Sequence, residues 1–270
     1  MFVAQISDLH VAAGRGLAFN VADGALLLEK TVAHLAALPQ KPGCVVVSGD
    51  ISVNGQTGGY ELAAAALGTL AMPVYTIPGN HDSRENFMAG LARFCPADPA
   101  VAPYLCYTVE EYPLRLVFFD GTRPGSHSGH FDAPVAAWLE ATLAAQPERP
   151  TLVFTHHPPF ATALGVMDEP YENAGELGRI LQKFSNVRLC CGHLHRYMFT
   201  VWHGVAALTA PPVCMHIVPD FCPTGGDAFT DEAPAFLLHH FTDGRVNTHY
   251  CRVPGEFAAS GPFSFSRPPE

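Results

Sequence analysis

Six short, mostly apolar runs rich in β-branched and aliphatic residues punctuate the chain at 2–6, 44–47, 74–77, 115–119, 151–154 and 187–191. Each reads as a buried strand. Between them the apolar residues repeat with a period near 3.6. Leu28, Val32 and Leu35 share one face, as do Val135, Trp138, Leu139 and Leu143. Asn173 followed by Glu176 predicts an N-cap and its capping-box partner ahead of Leu177, Ile180, Leu181 and Phe184. Strands alternating with helices predict an α/β fold. Beyond His195 the pattern turns to strands alone, at 198–202, 235–241 and 246–253, with a hairpin closing at Asp243-Gly244. A second, partly antiparallel sheet follows from that change. No internal repeat and no long polar linker divides the chain. Residues 160–172 and 220–234 read as long irregular loops, the usual material of lids and substrate walls. From Pro254 onward there are four prolines, but also Phe257, Phe263 and Phe265. Three phenylalanines favour docking of this tail on the body or on a neighbouring subunit over disorder.

The informative positions are those where strands stop. Run 2–6 ends in Ser7-Asp8-Leu9-His10, run 44–47 in Ser48-Gly49-Asp50, and run 74–77 in Pro78-Gly79-Asn80-His81-Asp82. Run 151–154 ends in Thr155-His156-His157-Pro158-Pro159, and run 187–191 in Gly192-His193-Leu194-His195. In α/β sheets the carboxyl ends of the strands lie on one edge, where ligands bind. Asp8 and His10 alternate, as do His193 and His195, which in an extended strand places each pair on one side. Two Asp, one Asn and four His make a set of oxygen and nitrogen donors without a thiolate. One divalent ion takes roughly four to six ligands, so seven residues with one shared carboxylate suit two ions. Glycine before Asp50, Asn80 and His193 removes a side chain where the backbone must turn toward them.

The neighbouring residues have plainer readings. His34, His203, His239, His240 and His249 read as hydrogen-bonded structural histidines. His157 follows His156 and points the other way in an extended run, a supporting or core role. Asp82 orients a ligand or caps the helix after it, and Asn54 before Gly55 reads as a turn. Met167 and Asp168 lie in the 160–172 loop, where they could line a pocket. His127 and His130, in a Gly/Ser-rich loop, read as solvated.

Charge narrows the chemistry. The chain carries 15 Lys+Arg against 25 Asp+Glu, a formal net charge of −10, with 14 His nearly matching the basic residues. Such a chain is poorly built to track a nucleic-acid backbone by charge, so any phosphate it handles needs a metal as its cation. No run approaches the roughly 18 apolar residues of a membrane helix, and no basic segment leads into an apolar one as in a secretory leader. The eight cysteines form no CxxC pair. They read as reduced thiols in a cytoplasmic protein.

D-x-H (Asp8, His10), GD (Gly49-Asp50), GNHD (Gly79 to Asp82), a lone His156 and GHxH (Gly192 to His195), in that order, resemble the calcineurin-like metallophosphoesterase superfamily. His156-His157-Pro158-Pro159 and the stretch 172–177 are similar to one branch, the bacterial class III cyclic-nucleotide phosphodiesterases and related glycerophosphodiesterases. The resemblance implies an α/β fold, a four-layer α/β/β/α sandwich of two mixed sheets flanked by helices. It covers a catalytic domain over 1–253, with 254–270 as the tail. It further implies two divalent metal ions, drawn from Fe, Mn, Co or Zn. Asp8, His10 and His195 would bind the first, Asp50 would bridge, and Asn80, His156 and His193 would bind the second. Asn80 and His81 would be catalytic, with His81 facing the phosphate. His216 stands about where the glycerophosphodiesterase branch places a substrate-contacting histidine. The implied reaction is hydrolysis of a small-molecule phosphodiester, a cyclic nucleotide such as cAMP or a glycerophosphodiester, by a hydroxide held between the ions. No nucleic-acid polymer and no membrane is expected as a partner, and a homo-oligomer stays open. Two alternatives remain. A phosphomonoesterase or protein phosphatase of the superfamily usually carries GDxxDRG and GNHE, where this chain has Gly49-Asp50-Ile51-Ser52-Val53-Asn54-Gly55 and GNHD. A non-catalytic scaffold of the same fold tends to lose ligands or the histidine after Asn80, and this chain keeps them all.

Overall fold

The structure is a computed structural model that describes residues 1–222, 226–257 and 259–269. Its first half runs β1 (Phe2–Ile6), α1 (Gly24–Ala37), β2 (Cys44–Ser48), α2 (Thr57–Leu67), β3 (Val74–Ile77) and α3 (Arg84–Leu91). There follow β4 (Tyr107–Val109), β5 (Arg115–Phe118), α4 (Ala133–Ala145), β6 (Thr151–Phe154), α5 (Ala174–Leu181) and β7 (Val187–Cys191). The rest is β8 (Met198–Trp202), β9 (Val205–Thr209), β10 (His216–Ile217), β11 (Ala228–Asp231), β12 (Ala235–Thr242), β13 (Arg245–Arg252) and β14 (Ser260–Ser264). One sheet has the order β13-β12-β1-β2-β3 and the other β4-β5-β6-β7-β9-β8; a small sheet, β10-β11-β14, sits apart. In the first sheet β1, β2 and β3 pair in parallel while β12 and β13 are antiparallel to their neighbours; in the second β5, β6, β7 and β9 pair in parallel and the edge strands β4 and β8 are antiparallel.

The two large sheets pack face to face through Val3, Val46, Phe118, Phe154 and Leu208, and α1 and α2 cover the far side of the first. A second core between the other sheet and α4 and α5 holds Val117, Leu139, Ile180 and Leu189. This is the four-layer α/β/β/α sandwich. Gln5 ties the sheets at their centre, donating from Nε2 to Ser48 Oγ at 2.9 Å and to the Cys191 carbonyl at 3.0 Å. Cys44, Cys95, Cys106, Cys190, Cys191 and Cys214 are buried thiols. Among the described residues no helix is long and apolar enough to cross a membrane.

Two local expectations fail. Asn173 precedes α5, but in the left-handed region at φ 61°, with no capping bond to the helix. Its side-chain amide instead donates to the Phe131 carbonyl at 3.2 Å, and Glu176 pairs with Arg179. Tertiary bonding outcompetes the capping box there. The 220–234 stretch is only partly irregular, since Ala228–Asp231 forms β11 and pairs with the tail strand β14.

His239, in β12, is buried between Gln5 Oε1 at 3.1 Å and Thr248 Oγ1 at 2.9 Å. Burial pushes its pKa down to about 3. On acidification the unfolded chain therefore takes up the proton first, at its ordinary value near 6.5. The stability held by neutral His239 is complete above that value and is lost as pH falls from 6.5 toward 3. Moving from pH 7 to pH 5 should cost about 2 kcal/mol through this residue. Thermal melts of His239→Gln should fall less steeply over that interval than those of the parent; parallel curves would refute the assignment.

Candidate metal centre

All five polar clusters meet at the carboxyl edges of β1, β2, β3, β6 and β7. Backbone bonds weave them together before any ligand is considered. Leu9 N and His10 N both donate to the Asp50 carbonyl, at 2.9 and 3.0 Å, and Gly192 N donates to that of His156 at 2.8 Å. The route by which Asp8, His10, His193 and His195 converge differs from the one expected. These residues lie beyond the strand ends, at φ 54°, 44°, 66° and 52°, and Asp50 is likewise at 50°. Successive left-handed turns, not strand alternation, aim the side chains inward. Each such turn costs a non-glycine residue on the order of 1–3 kcal/mol, a pattern that clusters at functional sites. Glycine fits the tightest approaches: a Cβ on Gly49 (φ +100°) would lie 2.2 Å from His156 Nδ1, and one on Gly79 2.1 Å from Asp50 Oδ1.

Asp50 is central. Its Oδ2 lies 3.6 Å from His10 Nε2, 3.4 Å from His156 Nε2 and 4.0 Å from His81 Nε2. On one side, ligand atoms of Asp8, His10, Asp50 and His195 lie within 4.8 Å of one another, all buried. On the other, the Asn80 side-chain oxygen Oδ1 is 3.2 Å from His156 Nε2 and 3.0 Å from His193 Nδ1. Outer bonds set the ring faces. His195 Nδ1 donates to the Met215 carbonyl at 2.6 Å and His156 Nδ1 to that of Ser48 at 2.8 Å, so each Nε2 turns its lone pair inward. His10 Nε2 and His195 Nε2 face each other at 3.0 Å, and Asp8 Oδ2 is buried without a partner. Inward lone pairs beside an unpartnered carboxylate oxygen fit divalent ions and little else.

The electrostatics agree. Burial would push Asp50 up, but the His156, His81 and His10 rings outweigh it and hold the carboxyl well below its usual range. Burial opposes the charge on His156, yet Asp50 raises that ring to about 9. Burial drives His10 and His193 well down and raises Asp8. Cations entering here would displace protons from Asp8 and from the His156 ring, and meet the His10 and His193 rings already neutral.

The remaining predicted residues fall into two groups. His81 sits on the rim, its Nδ1 donating to the Val53 carbonyl at 2.9 Å and its backbone N–H to Asp50 Oδ1 at 2.9 Å. Asp82 binds the turns together, accepting from Ile51 N, Ser52 N, Gly79 N and Tyr60 OH at 2.8–3.1 Å. Met167 lines the cavity above Asp50, whereas the Asp168 carboxylate is spent inside its own loop on Thr162 and Ala163. His216 is buried in β10 with Nε2 on the Ala233 carbonyl at 3.0 Å, and it is not among the described residues lining that cavity. Burial lowers its pKa to about 4. His157 does not point away: its ring centroid is 4.6 Å from that of His193, and its Nε2 donates to the His127 carbonyl at 3.1 Å. His130 is not solvated but buried, between Glu172 and Ser126. His127 is exposed, as expected, yet its ring also lies over the site, 5.3 Å from that of His193 and 6.1 Å from that of His81. Nothing in its Gly/Ser-rich context signals this, since the contacts are with residues beyond the ends of β3 and β7, distant in sequence.

The cavity measures about 330 Å³, within the range of small-ligand sites. A family model for calcineurin-like phosphoesterases matches residues 1–197. The chain belongs to the calcineurin-like phosphoesterase family. This family of metallophosphoesterases is metal-dependent, in keeping with two buried groups that could each hold an ion, Asp8, His10, Asp50 and His195 on one side and His156, His157 and His193 on the other. A relative named probable glycerophosphodiester phosphodiesterase GpdQ, from Arcobacter nitrofigilis, is 31% identical over 98% of this chain and 97% of its own. The 3',5'-cyclic adenosine monophosphate phosphodiesterase CpdA of Escherichia coli K12 is 28% identical over 93% and 89%. Among solved structures, GAP50, the anchor in the inner membrane complex of Plasmodium, superposes with a TM-score of 0.59 at 12% identity, covering 95% of this chain and 90% of that one. At that identity the likeness shows the fold alone.

Proposed function

We propose that this phosphoesterase-family chain hydrolyses small phosphodiesters. The observation that carries the reading is the Asp50 carboxylate standing between two sets of inward-facing oxygen and nitrogen donors. Asp8, His10 and His195 would hold one ion, Asn80, His156 and His193 the other, with Asp50 shared; the donor set suits Fe, Mn, Co and Zn. When bound, two such ions activate a water as nucleophile and neutralise charge on the attacked phosphate. The chain's own residues position the substrate. Asn80 and His81 both line the cavity, and His81 presents Nε2 to it because Nδ1 is fixed on Val53. In its imidazolium form His81 can hand a proton from Nε2 to a leaving oxygen. The names of the GpdQ and CpdA relatives support a diester substrate, glycerol-based or cyclic. The segment 51–55 lacks the arginine of the protein-phosphatase pattern, which favours diesters over phosphoproteins. The scaffold alternative is disfavoured because every donor position and His81 is kept.

A hydrolysis panel with Mn²⁺ tests this: bis- against mono-(p-nitrophenyl) phosphate, cAMP and glycerophosphoethanolamine. Faster diester than monoester cleavage is expected. Preference for the monoester would overturn the diester reading, and a metal-loaded protein inert toward all four would make the chain a scaffold.

A further inference from the structure

One face of the cavity takes no part in holding ions. The Phe19 ring lies 6.3 Å from that of His10 and 6.4 Å from that of His81. Phe265 lies 6.1 Å from His195 and meets Phe19 at 5.1 Å with the rings nearly perpendicular, at 81°. Fully buried Phe229 backs both, 4.5 Å from Phe265 and 6.0 Å from Phe19. Val166 and Met167 add to the apolar lining, and His127 and Glu169 (Nδ1 to Oε1 3.3 Å) supply polar groups to the same cavity.

Phe265 belongs to the C-terminal segment, which is fastened at several points. β14 pairs with β11, placing Phe263 opposite Phe229. Phe265 N donates to the Asp227 carbonyl at 3.0 Å, and the Asp227 carboxylate accepts from Ser264 Oγ at 2.8 Å and Ser266 N at 2.6 Å. Asn20 Nδ2 holds the Pro269 carbonyl at 3.1 Å. On the facing loop Phe19 sits in the left-handed region, at φ 49°. A bulky residue kept there is strained, and such strain concentrates at ligand clamps.

We propose that Phe265 of the C-terminal segment, with Phe19, forms the wall for one ester arm of the substrate and selects diesters whose arm presents a flat apolar face. The proposal rests on the phosphodiesterase reading above. Two perpendicular rings make a corner that stacks on one face of a planar group and meets its edge, a contact that a flexible glycerol arm does not reproduce. The segment after Pro254 is thus part of the substrate site and not an appendage.

The test compares Phe265→Ala and Phe265→Leu with the parent, all Mn²⁺-loaded. The ratio of kcat/KM for bis(p-nitrophenyl) phosphate over glycerophosphoethanolamine should fall about tenfold in Phe265→Ala, chiefly through KM for the aromatic diester. Phe265→Leu keeps apolar bulk to hold the segment down but lacks the flat face, so it should lose part of that ratio even if the alanine variant folds poorly. Calorimetry supplies a reading independent of turnover. The parent should bind phenyl phosphate more tightly than inorganic phosphate, and Phe265→Ala should lose most of the difference. An unchanged ratio in both variants, or an unchanged phenyl advantage in binding, overturns the proposal. If the parent cleaves no diester, the phosphodiesterase reading fails by itself, and the calorimetric comparison still decides whether Phe265 is the wall.

Discussion

Asp50→Ala should lower kcat/KM by on the order of 10³-fold or more and strip the chain of both ions rather than one. Its carboxylate is the group common to the two donor sets, so its loss removes a negative ligand from each. The substitution also removes the acceptor of the His81 N–H bond and the counter-charge that holds His156 at about 9. Without Asp50 the buried His156 ring loses the main influence that offsets its burial, and that side loses its nearest carboxylate. Two ions at a hundredfold their dissociation constants stabilise a fold by about 5 kcal/mol. Mn²⁺ should therefore raise the melting temperature of the parent and leave that of Asp50→Ala nearly unmoved. Asp50→Asn, which keeps the shape and the bond from His81, should fall between them in ion content. The measurements are elemental analysis, melting with and without Mn²⁺, and diester turnover. Retention of two ions with undiminished turnover would remove Asp50 from the centre of the site.

The strands were legible because each apolar run ends abruptly on a polar residue, a proline or a glycine. β1, β3, β6 and β7 match their predicted limits for that reason. The donor set was legible as residue types at strand ends, without requiring the correct local geometry. Alternation in an extended strand and consecutive left-handed turns bring Asp8 and His10 to the same place, and only the backbone angles tell them apart. What stayed hidden is tertiary. Tyr107–Val109 and His216–Ile217 are too short to show periodicity, and Ala228–Asp231 is a strand because β10 and the tail strand β14 pair with it on either side. His127 and Phe265 reach the cavity from segments whose composition reads as loop and tail. Asn173 carries a strong local signal that a single bond to Phe131 overrides.

His81→Ala should lower turnover about 10²–10⁴-fold on substrates with alkoxide leaving groups while two ions remain bound. The geometry makes the substitution clean. What ties His81 to Asp50 is its backbone N–H, at 2.9 Å, which alanine keeps. What is lost is the ring, anchored through Nδ1 on Val53 and facing the cavity through Nε2. A neutral ring in that tautomer only accepts at Nε2, so proton delivery requires the imidazolium form. The size of the effect should then depend on the leaving group. Glycerol and ribose oxygens depart as poor alkoxides unless protonated, whereas p-nitrophenolate leaves without help. The loss should accordingly be large for glycerophosphoethanolamine or cAMP and small for bis(p-nitrophenyl) phosphate. Equal losses on all three would mean that His81 steadies charge on the phosphate without donating a proton. Loss of the ions would make it a structural residue of the Asp50 turn.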